Sequence, residues 1–222
     1  GTTHLVYGLG FAPDGTLWAQ DPWAWTTVRV SPDGQQLLNL QFDHRAFSKV
    51  HFMADGSLLF TEMLDGEHQP KPLTTRHRPL PGHRRHLGDG DLWRYTPDGE
   101  LVEMLEPEVH GGMSGSMGVT HSVLSSDQSR LFYVSETGPR LMQFDLVNGR
   151  QLPDLRSGTE GDRTMMHFDL SMTPEGVLMV CMGNRIDALT QDGVWLRSYT
   201  LPGFGWSIID ACSGQYGYVG NW

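Results

Sequence analysis

Short apolar runs, each closed by a tight-turn signal, recur along the whole chain. Residues 16–19, 26–30, 57–61, 131–135 and 177–181 are rich in aliphatic and aromatic side chains. Each reads as a β-strand of about five residues. Between them stand Pro13-Asp14-Gly15, Pro32-Asp33-Gly34, Ala54-Asp55-Gly56, Pro97-Asp98-Gly99, Asn148-Gly149, Pro174-Glu175-Gly176 and Asp192-Gly193. Asp-Gly and Asn-Gly supply the positive φ that a tight hairpin needs. No stretch shows the 3.6-residue apolar period of an amphipathic helix.

The turns repeat. Gly15 and Gly34 are 19 residues apart, Ser129 and Gly149 are 20, and Gly176 and Gly193 are 17. At longer range, Gly15 to Gly56 is 41 residues, Ser129 to Gly176 is 47 and Gly176 to Gly214 is 38. Gly56 to Ser129 is 73 residues, one period plus an insertion of about 27. A four-stranded unit of about 40–45 residues marks a β-propeller blade. The pattern predicts an all-β propeller of four-stranded antiparallel blades, one domain over 1–222. The blades fall near 3–43, 46–108 (with an insertion at 64–90), 118–156 and 164–201, with a partial unit at 204–222. A ring hides its edges by closure, so the half-built fifth unit reads either as part of a longer propeller or as a last blade only half built.

Composition narrows the function classes. The net charge is −10, with 26 acidic and 16 basic side chains, which argues against a nucleic-acid binder. Two cysteines are too few for a disulfide scaffold. Hydrophobic residues make up 38% of the chain, enough for a core. No apolar run reaches the ~18 residues of a membrane helix. The expected setting is a soluble one, cytoplasmic or periplasmic. Only Lys49 and Lys71 are lysines; the other basic residues are arginine.

In such blades the tight turns lie on one face. The longer loops lie on the other, the expected mouth. His4, His51, His121 and His167 each fall in or just before the innermost strand of a unit. If they converge, neutral imidazoles suit a transition metal; the competing reading is a set of polar channel residues bonded to backbone. Glu62 and Glu136 occupy matching places at second-strand ends, as candidate proton carriers, ligands or solvated loop acids. Asp169 lies two residues beyond His167 and is a candidate to orient it. The 64–90 insertion is basic and histidine-rich. Arg84, Arg85 and His86 there, with Arg140 and Arg185 beside other mouth loops, are candidates to hold an anionic substrate. Trp23 and Trp206 are candidates to wall a pocket. Cys181 and Cys212 read as buried free thiols.

Val50-His51-Phe52-Met53-Ala54-Asp55-Gly56 through Met63 resembles a blade motif of the regucalcin/gluconolactonase-like propellers. Gly90-Asp91-Leu92-Trp93-Arg94-Tyr95-Thr96-Pro97-Asp98-Gly99 is similar to another, and His121 through Glu136 to a third. NHL-repeat and strictosidine-synthase propellers share these motifs. The resemblance implies six blades, a divalent metal at the channel mouth, and hydrolysis of lactones or esters. It also implies metal ligands of Glu, Asn and Asp type. Here His121 replaces the asparagine, and the aspartate position falls near His167 to Asp169. Imidazole in place of oxygen favours Zn or Fe over Ca²⁺.

The expected activity is that of a metal-dependent lactone or ester hydrolase with a small, anionic substrate. His51, His121, His167 and His4 would hold the metal, and Glu62 or Glu136 would move the proton. The alternatives are a His-ligated Fe or Zn lyase, isomerase or oxygenase, and a non-catalytic binding propeller. The sequence leaves the oligomeric state open.

Overall fold

A computed structural model describes residues 6–22, 24–41, 46–64, 90–108, 117–119, 121–134, 140–156, 167–210 and 218–221. They form two compact units. The first holds two sheets. One is the meander β1 (Gly8–Phe11), β2 (Leu17–Asp21), β3 (Thr26–Val30), β4 (Leu40–Gln41). The other is β5 (Phe47–Phe52), β6 (Leu58–Leu64), β7 (Leu92–Tyr95), β8 (Leu101–Leu105), with β9 (Met117–Gly118) added beside β6.

The second unit also holds two sheets. The first is β10 (His121–Leu124), β11 (Arg130–Val134), β12 (Leu141–Asp145), β13 (Arg150–Arg156). The last is β14 (Asp169–Met172), β15 (Leu178–Cys181), β16 (Gly183–Leu189), β17 (Trp195–Asp210), β18 (Tyr218–Asn221). All pairings are antiparallel, and all but that of β9 with β6 are sequential. The fold class is therefore the expected all-β class, with the four-stranded blades of a β-propeller. No helix among the described residues is long and apolar enough to cross a membrane.

The hairpins form where Asp-Gly stands. Met53 N–H donates to Ser57 O and Gly56 N–H to Met53 O, both at 2.9 Å, with Gly56 at φ +84°. The Asp55 carboxylate accepts from Ser57 N at 2.9 Å. The same two backbone bonds recur at Gly99 and Gly193. Gln128 takes the left-handed position of one turn at φ +59° without being glycine.

Burial follows strand order. β12 is buried at every residue, because a central strand of a blade is covered on both sides. On the outer strand β8, Leu101 and Val102 are exposed. The first unit's core is Trp18, Phe47, Val50, Phe60 and Trp93, with Phe47 and Phe60 stacked at 4.7 Å. Phe132, Val134, Leu141, Leu170, Leu178, Val180, Met182 and Leu189 form the second unit's main core. Each such side chain contributes about 1.5–3 kcal/mol when fully buried.

β17 runs unbroken through 201–204, the stretch where the turn spacing placed a boundary between units. Gly205 pairs with Gly183 of β16 on one side and Asn221 of β18 on the other. The strand changes partner there while the chain stays extended.

Candidate functional site

Strand register sorts the histidines. In the first unit, His51 pairs with Leu59, near the Met53–Gly56 turn. Glu62 pairs with Phe47, at the opposite, loop end of the same hairpin. The four steps from Phe47 to His51 span about 13 Å of strand. His51 is buried, and burial, helped by the Lys49 charge, holds its imidazole well below the ordinary value of 6.5.

This makes His51 an acid-sensitive element. The unfolded chain takes up a proton near 6.5 and the folded chain does not, so protonation favours unfolding. His51's contribution is complete above pH 6.5 and falls as pH drops below it toward the folded value. His51→Leu should flatten the pH dependence of the urea midpoint between pH 7 and 5, where the wild-type slope reaches at most about 1.4 kcal/mol per pH unit from this group. Identical slopes in the two proteins would refute it.

Glu62 is 1% exposed, and its Oε2 accepts from the Trp93 indole Nε1 at 3.0 Å and from Asp91 N at 3.4 Å. Its main chain is also tied down: Glu62 N donates to Asp91 O, and Val119 N to Glu62 O. Glu62 thus joins β6, β7 and the β9 segment through buried bonds. At the loop end of the first sheet, buried Asp21 accepts from Ala24 N at 3.0 Å, and Trp25 sits at φ +52°. A bulky residue there costs about 1–2 kcal/mol, and such strain collects at functional loops.

The second unit brings two chemical groups together. His121 opens β10 and Asp169 opens β14, both at the loop ends of their sheets. His121 Nδ1 lies 3.2 Å from Asp169 Oδ1, with side-chain exposures of 26% and 11%. Asp169 therefore faces His121 on the neighbouring blade of this unit, whereas the sequence paired it with His167. Sequence spacing shows residues along one strand and cannot show a partner across two sheets. A carboxylate at Nδ1 keeps the proton on that nitrogen and leaves Nε2 as the one that accepts or delivers a proton.

His167 is fully buried just before β14. Cys181 pairs with Asp169 across β14 and β15. Burial first, and the Asp169 charge after it, push the Cys181 thiol up to about 11, against a Gly183 backbone hydrogen bond that lowers it. Its thiolate fraction at pH 8 should be about 100-fold below that of an ordinary cysteine. Iodoacetamide labelling of Cys181, read by peptide mass spectrometry, should be correspondingly slow in the native protein and normal in urea. Rapid native labelling would contradict this environment.

Arg140 forms a two-point pair with Asp154, Nε to Oδ2 at 2.6 Å and Nη2 to Oδ1 at 2.9 Å. Arg185 meets Asp187, as does Arg156, a residue the sequence did not single out. Arg156 ends β13 and Arg185 is the third residue of β16, and no motif or spacing in the sequence links the two. Trp206 lies in β17. His4, Trp23, Arg84, Arg85, His86 and Glu136 lie outside the described residues, as does all but the ends of the 64–90 insertion.

Among the described residues no group of three or more His, Cys, Asp and Glu side chains is placed to hold a metal ion. One imidazole facing one carboxylate supplies two donors, fewer than a metal site needs from the described residues alone. It fits a proton-transfer pair.

No family model matches this sequence. No curated protein matches it either. Solved structures do. A gluconolactonase from Xanthomonas campestris superposes with TM-score 0.64 at 16% identity, covering 96% of this chain and 68% of that one. A streptogramin B lyase superposes with TM-score 0.56 at 13% identity, covering 89% of this chain and 55% of its own. A virginiamycin B lyase from Staphylococcus aureus, in a catalytically inactive histidine-to-alanine form with quinupristin, gives 0.56 at 14% identity, covering 91% and 73%. The chain thus spans about half the length of the streptogramin B lyase. These likenesses establish the propeller fold. They do not single out the regucalcin type, because lyases stand beside the gluconolactonase at similarly low identity.

Proposed function

We propose that this chain belongs to a catalytic propeller that opens a lactone or ester bond in a small molecule. His121 is the proton-transfer residue and Asp169 positions it. The observation that carries this reading is the 3.2 Å approach of His121 Nδ1 to Asp169 Oδ1, with His121 still open to solvent. Neutral His121 takes a proton at Nε2 from a water attacking the carbonyl carbon. It returns that proton to the alkoxide oxygen as the C–O bond breaks. Asp169 balances the imidazolium formed between the two steps, and such proton transfer contributes about 10²–10⁴-fold.

A second reading has specific support. The same base could remove a carbon-bound proton next to the leaving carboxylate, giving a C=C bond with no water consumed. Lyases are among the fold neighbours, and one of them is inactive as a histidine-to-alanine form. Turnover of a lactone panel in H₂¹⁸O separates the two. Hydrolysis places one solvent oxygen in the product carboxylate; elimination places none and creates an alkene. A folded protein that turns over no lactone or ester would sink both and favour a binding propeller. The transition metal suggested by the sequence would need donors beyond the described residues, His4 and Glu136 among them, and metal analysis of the purified protein checks it directly.

A further inference from the structure

Arg156 and Arg185 converge on one carboxylate in the second unit. Arg156 Nη1 donates to Asp187 Oδ2 at 2.7 Å. Arg185 Nε lies 3.2 Å from Asp187 Oδ1, and its Nη2 is 3.5 Å from Oδ2. Ser198 Oγ donates to Oδ1 at 2.7 Å. Met182 Sδ lies 3.6 Å from Arg156 Nη1 and 3.7 Å from Arg185 Nη2. Asp187 is 2% exposed. Burial alone would raise its carboxyl, but the Arg156 and Ser198 hydrogen bonds and the two arginine charges outweigh that and hold it below the usual carboxylate range.

The charges do not cancel. Among the described residues two guanidiniums and one carboxylate leave one positive charge, because a thioether is only a weak, neutral acceptor. Arg140 and Asp154 make a useful contrast in the same unit, one guanidinium on one carboxylate with both oxygens engaged. A strut from β13 to β16 would be complete with Arg156 alone. Arg185 adds a second guanidinium, half-exposed, to the same carboxylate. Both contacts of Arg156 run through Nη1, to Asp187 Oδ2 and Met182 Sδ. Planar donors left over on two adjacent guanidiniums match the oxygens of a carboxylate or phosphate.

The placement sets this cluster apart from His121 and Asp169. Asp187 pairs with Val180, which pairs with Leu170, the residue after Asp169. Two strand spacings put it about 10 Å outward from β14. An anion held there cannot be the group on which His121 acts.

We propose that Arg156 and Arg185, preset by Asp187, Ser198 and Met182, form a binding site for a small oxyanion, a carboxylate or phosphate group. Its test is a binding measurement on the full chain, independent of catalysis. Inorganic phosphate is titrated at low ionic strength by calorimetry into wild type and into Arg156→Gln, Arg185→Gln, Arg185→Lys and Arg140→Gln, each checked by thermal melting. The Arg156→Gln protein keeps Arg185 on Asp187 and should fold.

Arg156→Gln and Arg185→Gln should each weaken phosphate binding about 10-fold or more. Arg185→Lys should weaken it as well, because the charge remains but the planar fork is lost. Arg140→Gln, which removes the same charge from the same unit, should leave binding as in wild type. No phosphate binding by wild type, or equal weakening by Arg140→Gln, overturns the proposal. Esters with and without a terminal carboxylate then distinguish the source of the oxyanion. A KM rise in Arg185→Gln for the acid-bearing ester alone assigns it to the substrate; unchanged KM for both, with phosphate binding lost, assigns it to a free anion. Phosphate binding that survives in His121→Ala, whatever that variant does to turnover, shows the oxyanion site standing apart from the catalytic reading.

Discussion

His121→Ala is expected to reduce kcat/KM for lactone or ester opening by about 10²–10⁴-fold, the range that a positioned general base supplies. The fold should persist, since His121 opens its strand and is partly exposed, so the loss is chemical. Asp169→Asn tests the pair more sharply. An amide at that place no longer fixes the proton on Nδ1 and gives the imidazolium no counter-charge. Its kcat should fall by about 100-fold, with little change in KM, because Asp169 acts through His121 and does not touch substrate. The pH–rate profile should shift as well, which a purely structural role would not produce. Stopped-flow or pH-stat assays across pH 5–9 on both variants, with circular dichroism to confirm folding, give the answer. Wild-type kcat in Asp169→Asn would remove the basis for the catalytic assignment.

The largest expected effect on stability lies in the first unit, at Gly8. A Cβ built there stands 1.8 Å from the Ser48 carbonyl oxygen and 2.9 Å from its carbon. Both atoms are backbone, at the irregularity in β5 where register shifts between Phe47 and Lys49. Ser48 cannot yield easily, because its Oγ is 2.7 Å from Thr61 Oγ1 and also bonds Val119 O. Gly8→Ala should therefore cost about 3 kcal/mol, at the upper end of overpacking penalties. Gly34→Ala is the control. Gly34 has φ +85° and open space around its missing side chain, so only left-handed backbone strain applies, about 1–2 kcal/mol. Urea unfolding of the two variants should separate them clearly. Equal midpoints would mean that β1 can slide away from β5 and that the close approach is not a constraint.

These two positions show what was legible in the chain and what was not. The glycines of the tight turns announced their function, because a hairpin needs positive φ at a fixed offset from its strands, and Gly15, Gly34, Gly56, Gly99, Gly176 and Gly193 all have it. Gly8 has no such local mark. Its requirement comes from a carbonyl contributed by residue 48, a contact that depends on how two sheets stack.

The histidines divide in the same way. His51 stands 5 residues before Gly56 and His121 stands 8 before Ser129, and the register puts them at opposite ends of their strands. Nothing in the spacing foretold that Asp169 would meet His121, or that Arg156 and Arg185 would share Asp187. Glu62 looked like an open candidate at a strand end, yet the structure closes it beneath Trp93 and Asp91.

The sequence by itself determined the repeat, the strands and the all-β class. Alternation and turn chemistry are local, and each hairpin is specified within about twenty residues. Tertiary structure alone decided which polar groups face one another. Those contacts join residues from separate sheets, such as His121 with Asp169 and Arg156 with Asp187, and their geometry is set by blade packing.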